Sequence, residues 1–180
     1  MAKTVLVPTD IVAKNIDAYN RTVINDADID NGAVFQMGAL STDADKKEVF
    51  EIATPETGAG LKNLWMAYSP EVVLTVSGDF QAKGIDADPR NFTNVKGIPF
   101  DAYKIQVGDL VTMTAEGFSA PYNHEAYAVA QNGSNKLAFA GAAIEGVTYK
   151  VLGETQIVIA SGNVGSNAVK AYLLECVAIA

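Results

Sequence analysis

One cysteine, one histidine and one tryptophan occur in 180 residues, and each scarcity removes a class of chemistry. With Cys176 alone, neither an intrachain disulfide nor a cysteine metal cluster can form. A thiol nucleophile needs a base beside it, and His124 is the single histidine that could serve. Its neighbour Glu125 would face the other way on any strand carrying both, and no nucleophile-elbow motif is present. Cys176 therefore reads as a small buried hydrophobe on a C-terminal strand, and His124 as a surface or core-edge residue. Cations are scarce too: 13 Lys and Arg stand against 21 Asp and Glu, a net charge of -8. Nucleic-acid binding rests on cationic contacts that release phosphate counterions, so no nucleic-acid partner is expected, and an anionic membrane surface would repel the chain. No apolar run approaches the roughly 20 residues of a membrane span. The run in Met1 to Pro8 is too short for a signal peptide, so synthesis in the cytoplasm is expected.

Familiar ligand motifs are also missing. Asp26-Ala27-Asp28-Ile29-Asp30 has the odd-position acidic spacing that begins a calcium loop. Asn31 and Met37, however, occupy the places where Gly and Glu are needed, so no metal is expected. Gly58-Ala59-Gly60-Leu61-Lys62 is not a phosphate loop, and no dinucleotide fingerprint lies between a strand and a helix. The residues point to no catalytic group and no cofactor.

What remains is β-structure. Apolar residues make up 49% and charged residues 19%, the balance of a globular chain long enough to bury a core. Residues 1–20 show no clear period, with Pro8 interrupting the first apolar run, and read as an extended arm. From Ala27 to Thr54, apolar runs flank Asn31-Gly32 and then the charged turn Asp43 to Lys47, which predicts a meander built on a type I′ turn. Short strands are expected at Leu64–Tyr68 and Val72–Val76, followed by a long polar loop, Gly78 to Asn94. Ala102 to Val107 and Leu110 to Thr114 flank a turn at Gly108-Asp109. Val147 to Leu152 and Thr155 to Ile159 flank a similar Gly153-Glu154, an echo that raises the question of an internal duplication. The strands of Tyr122 to Ala143 are ill defined, and Ala168 to Ile179 reads as a strand closing the sheet. Trp65 and Tyr68, three apart, should face opposite sides, one in the core and one free for an interface. The fold class is mainly β: a compact antiparallel β-sandwich or barrel-like domain over 21–180 with an extended N-terminal arm over 1–20. A division into two sub-lobes near 118–122 stays open.

Several segments come in a telling order. They are Ile29-Asp30-Asn31-Gly32-Ala33-Val34, Glu48-Val49-Phe50-Glu51-Ile52-Ala53-Thr54-Pro55, Leu64-Trp65-Met66-Ala67-Tyr68-Ser69-Pro70-Glu71-Val72, and Tyr103 to Glu116. This order, over roughly residues 25 to 118, resembles that of the head decoration, or cement, proteins of tailed bacteriophages. The segment Ser77 to Asn94 and the C-terminal third depart from it. The resemblance implies a non-enzymatic virion protein, made in the host cytoplasm and carried on the capsid exterior. Its partner would be the major capsid protein, and it would sit there as a homo-oligomer, a trimer being favoured. Capsid contact is expected from Thr4, Val5, Leu6, Val7, Pro8 and Thr9, whose apolar side chains precede the first clear strand; an edge strand added to a capsid sheet needs no special side chains. Asn31, Gly32, Gly108 and Asp109 define the turns. The alternative is a virion-surface receptor- or glycan-binding module with Trp65, Tyr103 or Tyr122 as stacking platforms.

Overall fold

The computed structural model describes residues 2–43, 45–71, 73–77, 82–86, 88–160 and 166–179. Thirteen strands occur among them: β1 (Leu6–Asp10), β2 (Asn20–Ile24), β3 (Val34–Leu40), β4 (Phe50–Ala53), β5 (Trp65–Ala67), β6 (Val73–Ser77), β7 (Ala82–Asp86), β8 (Phe100–Lys104), β9 (Leu110–Thr114), β10 (Tyr127–Gln131), β11 (Ser134–Ala140), β12 (Thr148–Ala160) and β13 (Ser166–Ala178). The only helical pieces among the described residues are short 3-10 turns. Six strands form an open sheet in the order β1-β9-β13-β12-β10-β11; β2-β4-β3-β5-β8 close into a barrel; β6 and β7 form a separate antiparallel pair. Barrel and sheet together bear out a mainly β, sandwich-like or barrel-like domain.

Alternation along the barrel strands explains how the two layers join. Successive side chains of a strand point to opposite faces. Phe35, Trp65, Ala67, Phe100 and Ala102 turn into the barrel, where Val23, Ile29 and Ala33 complete the filling. Their neighbours Val34, Met66, Tyr103 and Ile105 turn outward into a second core, shared with Val111, Met113, Tyr149, Tyr172, Leu174 and Cys176 of the sheet. β5 is therefore covered on both faces, as are Val34-Phe35 of β3 and Ala102-Tyr103 of β8. Phe35 and Phe100 meet edge to face at 6.3 Å in one core, and Phe118 stacks on Phe139 at 4.1 Å in the other. Each fully buried large side chain contributes about 1.5–3 kcal/mol relative to exposure.

The N-terminal segment is no free arm. β1 pairs antiparallel with β9, with Leu6 opposite Met113 and Val7 opposite Thr112. Thr4, Val5 and Leu6 are buried, and Thr114 exchanges hydrogen bonds with Val5. Of the apolar side chains expected to lack a partner within the monomer, Val5 and Leu6 find cover beside a strand more than 100 residues away, while Val7 stays exposed. Two 3-10 turns, Val12–Asn15 and Asp17–Tyr19, then lead into the barrel.

Other expectations are corrected in the same way, through pairings that lie far apart in sequence. Asn31-Gly32 does not join two paired strands. Gly32 has φ +81° while Asn31 keeps a negative φ, and the Ala33 N–H donates to the Asp30 carbonyl at 3.3 Å. That is the pattern of a type II turn, with glycine at its third position, and not type I′. The expected meander also opens at β2, which pairs with β4 in parallel and with β8, whereas the β3–β4 hairpin across Asp43 to Lys47 forms as expected. A second Asn-Gly pair, Asn132-Gly133, makes the tight hairpin between β10 and β11. Gly108-Asp109 is a crossover: β8 belongs to the barrel and β9 to the sheet. Gly153-Glu154 is no turn either, because β12 runs straight through it with a register shift between Val151 and Gly153. The two halves of the supposed duplication thus differ in structure. The Gly78 to Asn94 stretch contains β7; residues 78–81 and 87 lie outside the described residues. β13 lies between β9 and β12, inside the sheet. The chain passes between sheet and barrel at residues 10–20 and again at 104–110.

Candidate functional site

Residues able to do chemistry are held apart or already engaged. His124 is exposed with φ +61°, its ring 5.5 Å from that of Tyr122. Glu125 does not orient it: its carboxylate accepts the Asn123 N–H at 2.7 Å. Cys176 is 1% exposed, and burial pushes its thiol up to about 12, so at neutral pH it is not a thiolate. Among the described residues no three His, Cys, Asp or Glu side chains cluster as a metal site. Of the acidic run, Asp28 accepts the Lys96 N–H at 2.9 Å, and Asp30 accepts the Thr93 hydroxyl at 2.9 Å while pairing with Lys3 at 3.4 Å. These carboxylates fasten the 88–97 segment to the barrel.

The turn-defining residues are structural hubs. Asn31 is fully buried, and both ends of its amide are used. Its Nδ2 donates to the Ser69 carbonyl at 2.9 Å, and its Oδ1 accepts the Ser69 N–H at 3.0 Å and the Asn94 side-chain amide at 3.1 Å. Glu71 closes the group. Burial raises its carboxyl above the usual range, partly offset by hydrogen bonds from Asn31 and the Leu6 N–H. Asp109 does a similar job at the crossover: its carboxylate accepts the Val12 N–H at 2.9 Å and the Gln106 N–H at 2.8 Å. Burial raises its carboxyl too. Around it, Gly108 at φ +95° and Asp109 exchange backbone hydrogen bonds with Cys176.

Of the three stacking platforms, Trp65 and Tyr103 are buried, and the Tyr103 hydroxyl points at the Met66 sulfur, 3.0 Å away. Tyr122 packs half-buried among Phe139, Tyr172 and His124. Among the described residues the exposed aromatic is Tyr68, 39% exposed, beside Asn20, Arg21, Pro70 and Asp101 in a shallow groove. Trp65 inside and Tyr68 outside is the division their spacing predicts.

The sheet edges are the remaining surface, and they differ. At one edge, β1 carries Pro8, which has no N–H, and Lys14 donates to the Pro8 and Thr9 carbonyls at 3.3 and 3.1 Å. At the other, Phe118 bridges to Leu137 of β11, and the Ser119 N–H donates to the Leu137 carbonyl. Both are covered in the ways that keep natural edges from pairing at random. The far half of the β12–β13 pair has no such cover on its outer edges among the described residues, although Ile159 within it is buried. β10 pairs with β12 only at Thr148 to Lys150, and β9 with β13 only at Ala171 to Glu175. Beyond these, Gln156↔Lys170, Ile157↔Val169, Val158↔Ala168 and Ile159↔Asn167 form a two-stranded ribbon with no described strand on either side. Val158 is 68% exposed, the highest among the described large hydrophobics. The sequence pointed at the N-terminus and missed this ribbon, although a run without charge from Thr155 to Val169 marks it.

The fold and this surface define a class: a two-layer β protein, barrel packed on sheet, with a projecting β-ribbon. Comparison with protein-family models, with curated proteins and with solved structures found no match to this chain.

Proposed function

We propose that this chain is a structural protein of a bacteriophage virion, a cement that binds the capsid exterior and bridges neighbouring major capsid subunits. Two things support the reading: the phage-decoration-like order of segments between residues 25 and 118, and an acidic β body whose longest uncharged run, Thr155 to Val169, lies on the β12–β13 ribbon. The observation that carries it is the β12–β13 ribbon. A two-stranded ribbon is at best marginally stable alone, and on this one Val158 stands exposed beside the buried Ile159. Contact area added between subunits would resist the outward pressure of packaged DNA. A homo-oligomer on the capsid, trimeric in the favoured form, would multiply weak single contacts.

Co-sedimentation with expanded heads of the encoding phage, stripped of this protein, tests the proposal. A variant in which an Asn-Gly turn replaces residues 156–170, joining Thr155 to Ala171, should stay folded and need at least about tenfold more protein for half occupancy. Failure of the full-length chain to sediment with heads at any concentration overturns the function. Superimposed occupancy curves would remove the ribbon as its anchor.

A further inference from the structure

Independently of the capsid reading, we infer that the groove beside Tyr68 is a carbohydrate site, which takes a neutral pyranose with its apolar face on the Tyr68 ring.

The groove lies on the outer face of the barrel, where three strands set their side chains in two rows. In the first row Thr22 stands opposite Asp101, and the Tyr68 N–H donates to the Asp101 carbonyl at 2.9 Å. In the second, Asn20 and Met66 flank Tyr103. Side chains on one face of a strand recur at every second position, so Thr22, Asp101 and Tyr68 share a face with Asn20 and Tyr103. Tyr103 is covered by the sheet, and that cover stops short of the first row: Thr22 and Asp101 are exposed beside Tyr68. The hollow they line holds about 460 Å³, within the ~300–1,000 Å³ of ligand sites.

The platform is fixed before any ligand arrives. Next to Tyr68, the Ser69 N–H donates to Asn31 Oδ1 at 3.0 Å, and the Ser69 carbonyl accepts Asn31 Nδ2 at 2.9 Å. The Ser69 hydroxyl accepts the Asp101 N–H at 3.0 Å, and the Tyr68 ring meets the Tyr103 ring edge to face at 6.5 Å. A surface held in this way loses little conformational freedom on binding.

The groups around the ring suit hydroxyls. Among the described residues the Asp101 carboxylate and the Thr22 hydroxyl make no hydrogen bond. Asn20 donates its Nδ2 to the Ala13 and Ile16 carbonyls at 2.8 and 3.2 Å, which orients the amide and leaves Oδ1 as an acceptor. Arg21 donates to the Asn20 carbonyl at 2.9 Å and keeps its other donors. A sugar hydroxyl both donates and accepts, so a carboxylate near a guanidinium matches neighbouring hydroxyls through charge-assisted bonds. The C–H face of the sugar ring then lies on the tyrosine, an apolar body with a polar tip. Other occupants fit less well. One Arg beside one Asp leaves no surplus cation for a phosphate, and a wholly apolar ligand needs enclosing walls that this open hollow lacks.

Backbone amide NMR shifts of the isolated protein, titrated with maltotriose, cellotriose and chitotriose, test the site. At least one of these sugars should move the amides of Thr22, Tyr68 and Asp101 saturably, with a Kd of about 1 mM. Tyr68→Ala should abolish saturation, while Tyr68→Trp, which keeps an aromatic face, should bind at least as tightly as the parent. Asp101→Asn, of the same shape, should keep the unfolding midpoint and weaken binding about tenfold. If Tyr68→Ala fails to fold, parent-like affinity in Asp101→Asn overturns the site. The absence of saturable shifts with all three sugars overturns it, as do shifts that persist in a folded Tyr68→Ala. Saturation by inorganic phosphate in place of the sugars assigns the groove to an anion and overturns it too.

Discussion

Asn31 shows what single residues contribute. Its amide satisfies both backbone groups of Ser69 and the side chain of Asn94 in a site without solvent. Asn31→Ala would strand those partners, each left unpaired at about 1–3 kcal/mol. The expected total loss is about 2–4 kcal/mol, seen as a lower urea midpoint with an unchanged slope. Gly32→Val fails for a different reason. At φ +81° a β-branched residue is strained, and its Cβ would lie 2.6 Å from the Met113 sulfur. A loss of about 1–3 kcal/mol is expected, and an unchanged midpoint would refute it. Asp109 adds a pH dependence. Burial raises its carboxyl, so just above the ordinary aspartate range the native state holds more protons there than the unfolded chain does. Stability from this group is therefore full at low pH and falls as pH rises through the raised range. Urea midpoints from pH 4 to 7 should show the parent losing ground against Asp109→Asn as pH increases. The sequence singled out all of these residues as turn-formers. Their work as long-range anchors was not legible, because the partners are 38 to 97 residues away.

At the scale of elements, local pattern located strands well and their pairings poorly. β3, β4, β5, β9 and β13 fall where alternation puts them, while β8 starts two residues before the expected Ala102 to Val107 and ends at Lys104. β7, Ala82-Lys83-Gly84-Ile85-Asp86, is too polar to stand out. Gly153 looks like a turn because bulges and turns use the same residue, and only the register with β13 tells them apart. Which Asn-Gly closes a hairpin likewise depends on what the flanking strands meet. The burial of β1 changes the expected result of trimming the N-terminus. Removing residues 1–9 takes Val5 and Leu6 out of the core and leaves Met113 without its cover, at about 1.5–3 kcal/mol for each lost side chain. The truncated protein should be several kcal/mol less stable, with a midpoint shifted accordingly. A truncated protein as stable as the parent would contradict the pairing of β1 with β9.

For the whole molecule, two cores that share β3, β5 and β8 should melt together. Trp65 lies in the barrel core and Cys176 in the other, so each core carries one natural probe. Tryptophan fluorescence and thiol labelling across a urea titration should give coincident transitions. Separate midpoints would mean that barrel and sheet unfold independently. The layered plan itself was legible only as β-rich, since alternation says that a strand has two faces but not what covers each. The site was less legible still: an uncharged run became meaningful only once the ends of β9 and β10 showed where the ribbon leaves the sheet.

The pairing of β1 with β9 also sets a clock. Val5 meets Thr114 across 109 positions, so during translation the first strand emerges long before its partner exists. At roughly 5–20 residues per second, that interval is about 5–20 s. Throughout it the barrel strands between them appear in order, while Val5 and Leu6 have nothing to cover them. Pro8 is already present, and Lys14 comes within six residues of it. A nascent first strand that lacks one amide hydrogen and carries a cation close behind is a poor template for neighbouring chains on the same messenger. Pro8→Val should therefore leave the finished protein folded while raising the aggregated fraction during synthesis, and equal soluble yields at every expression rate would argue against such a guard.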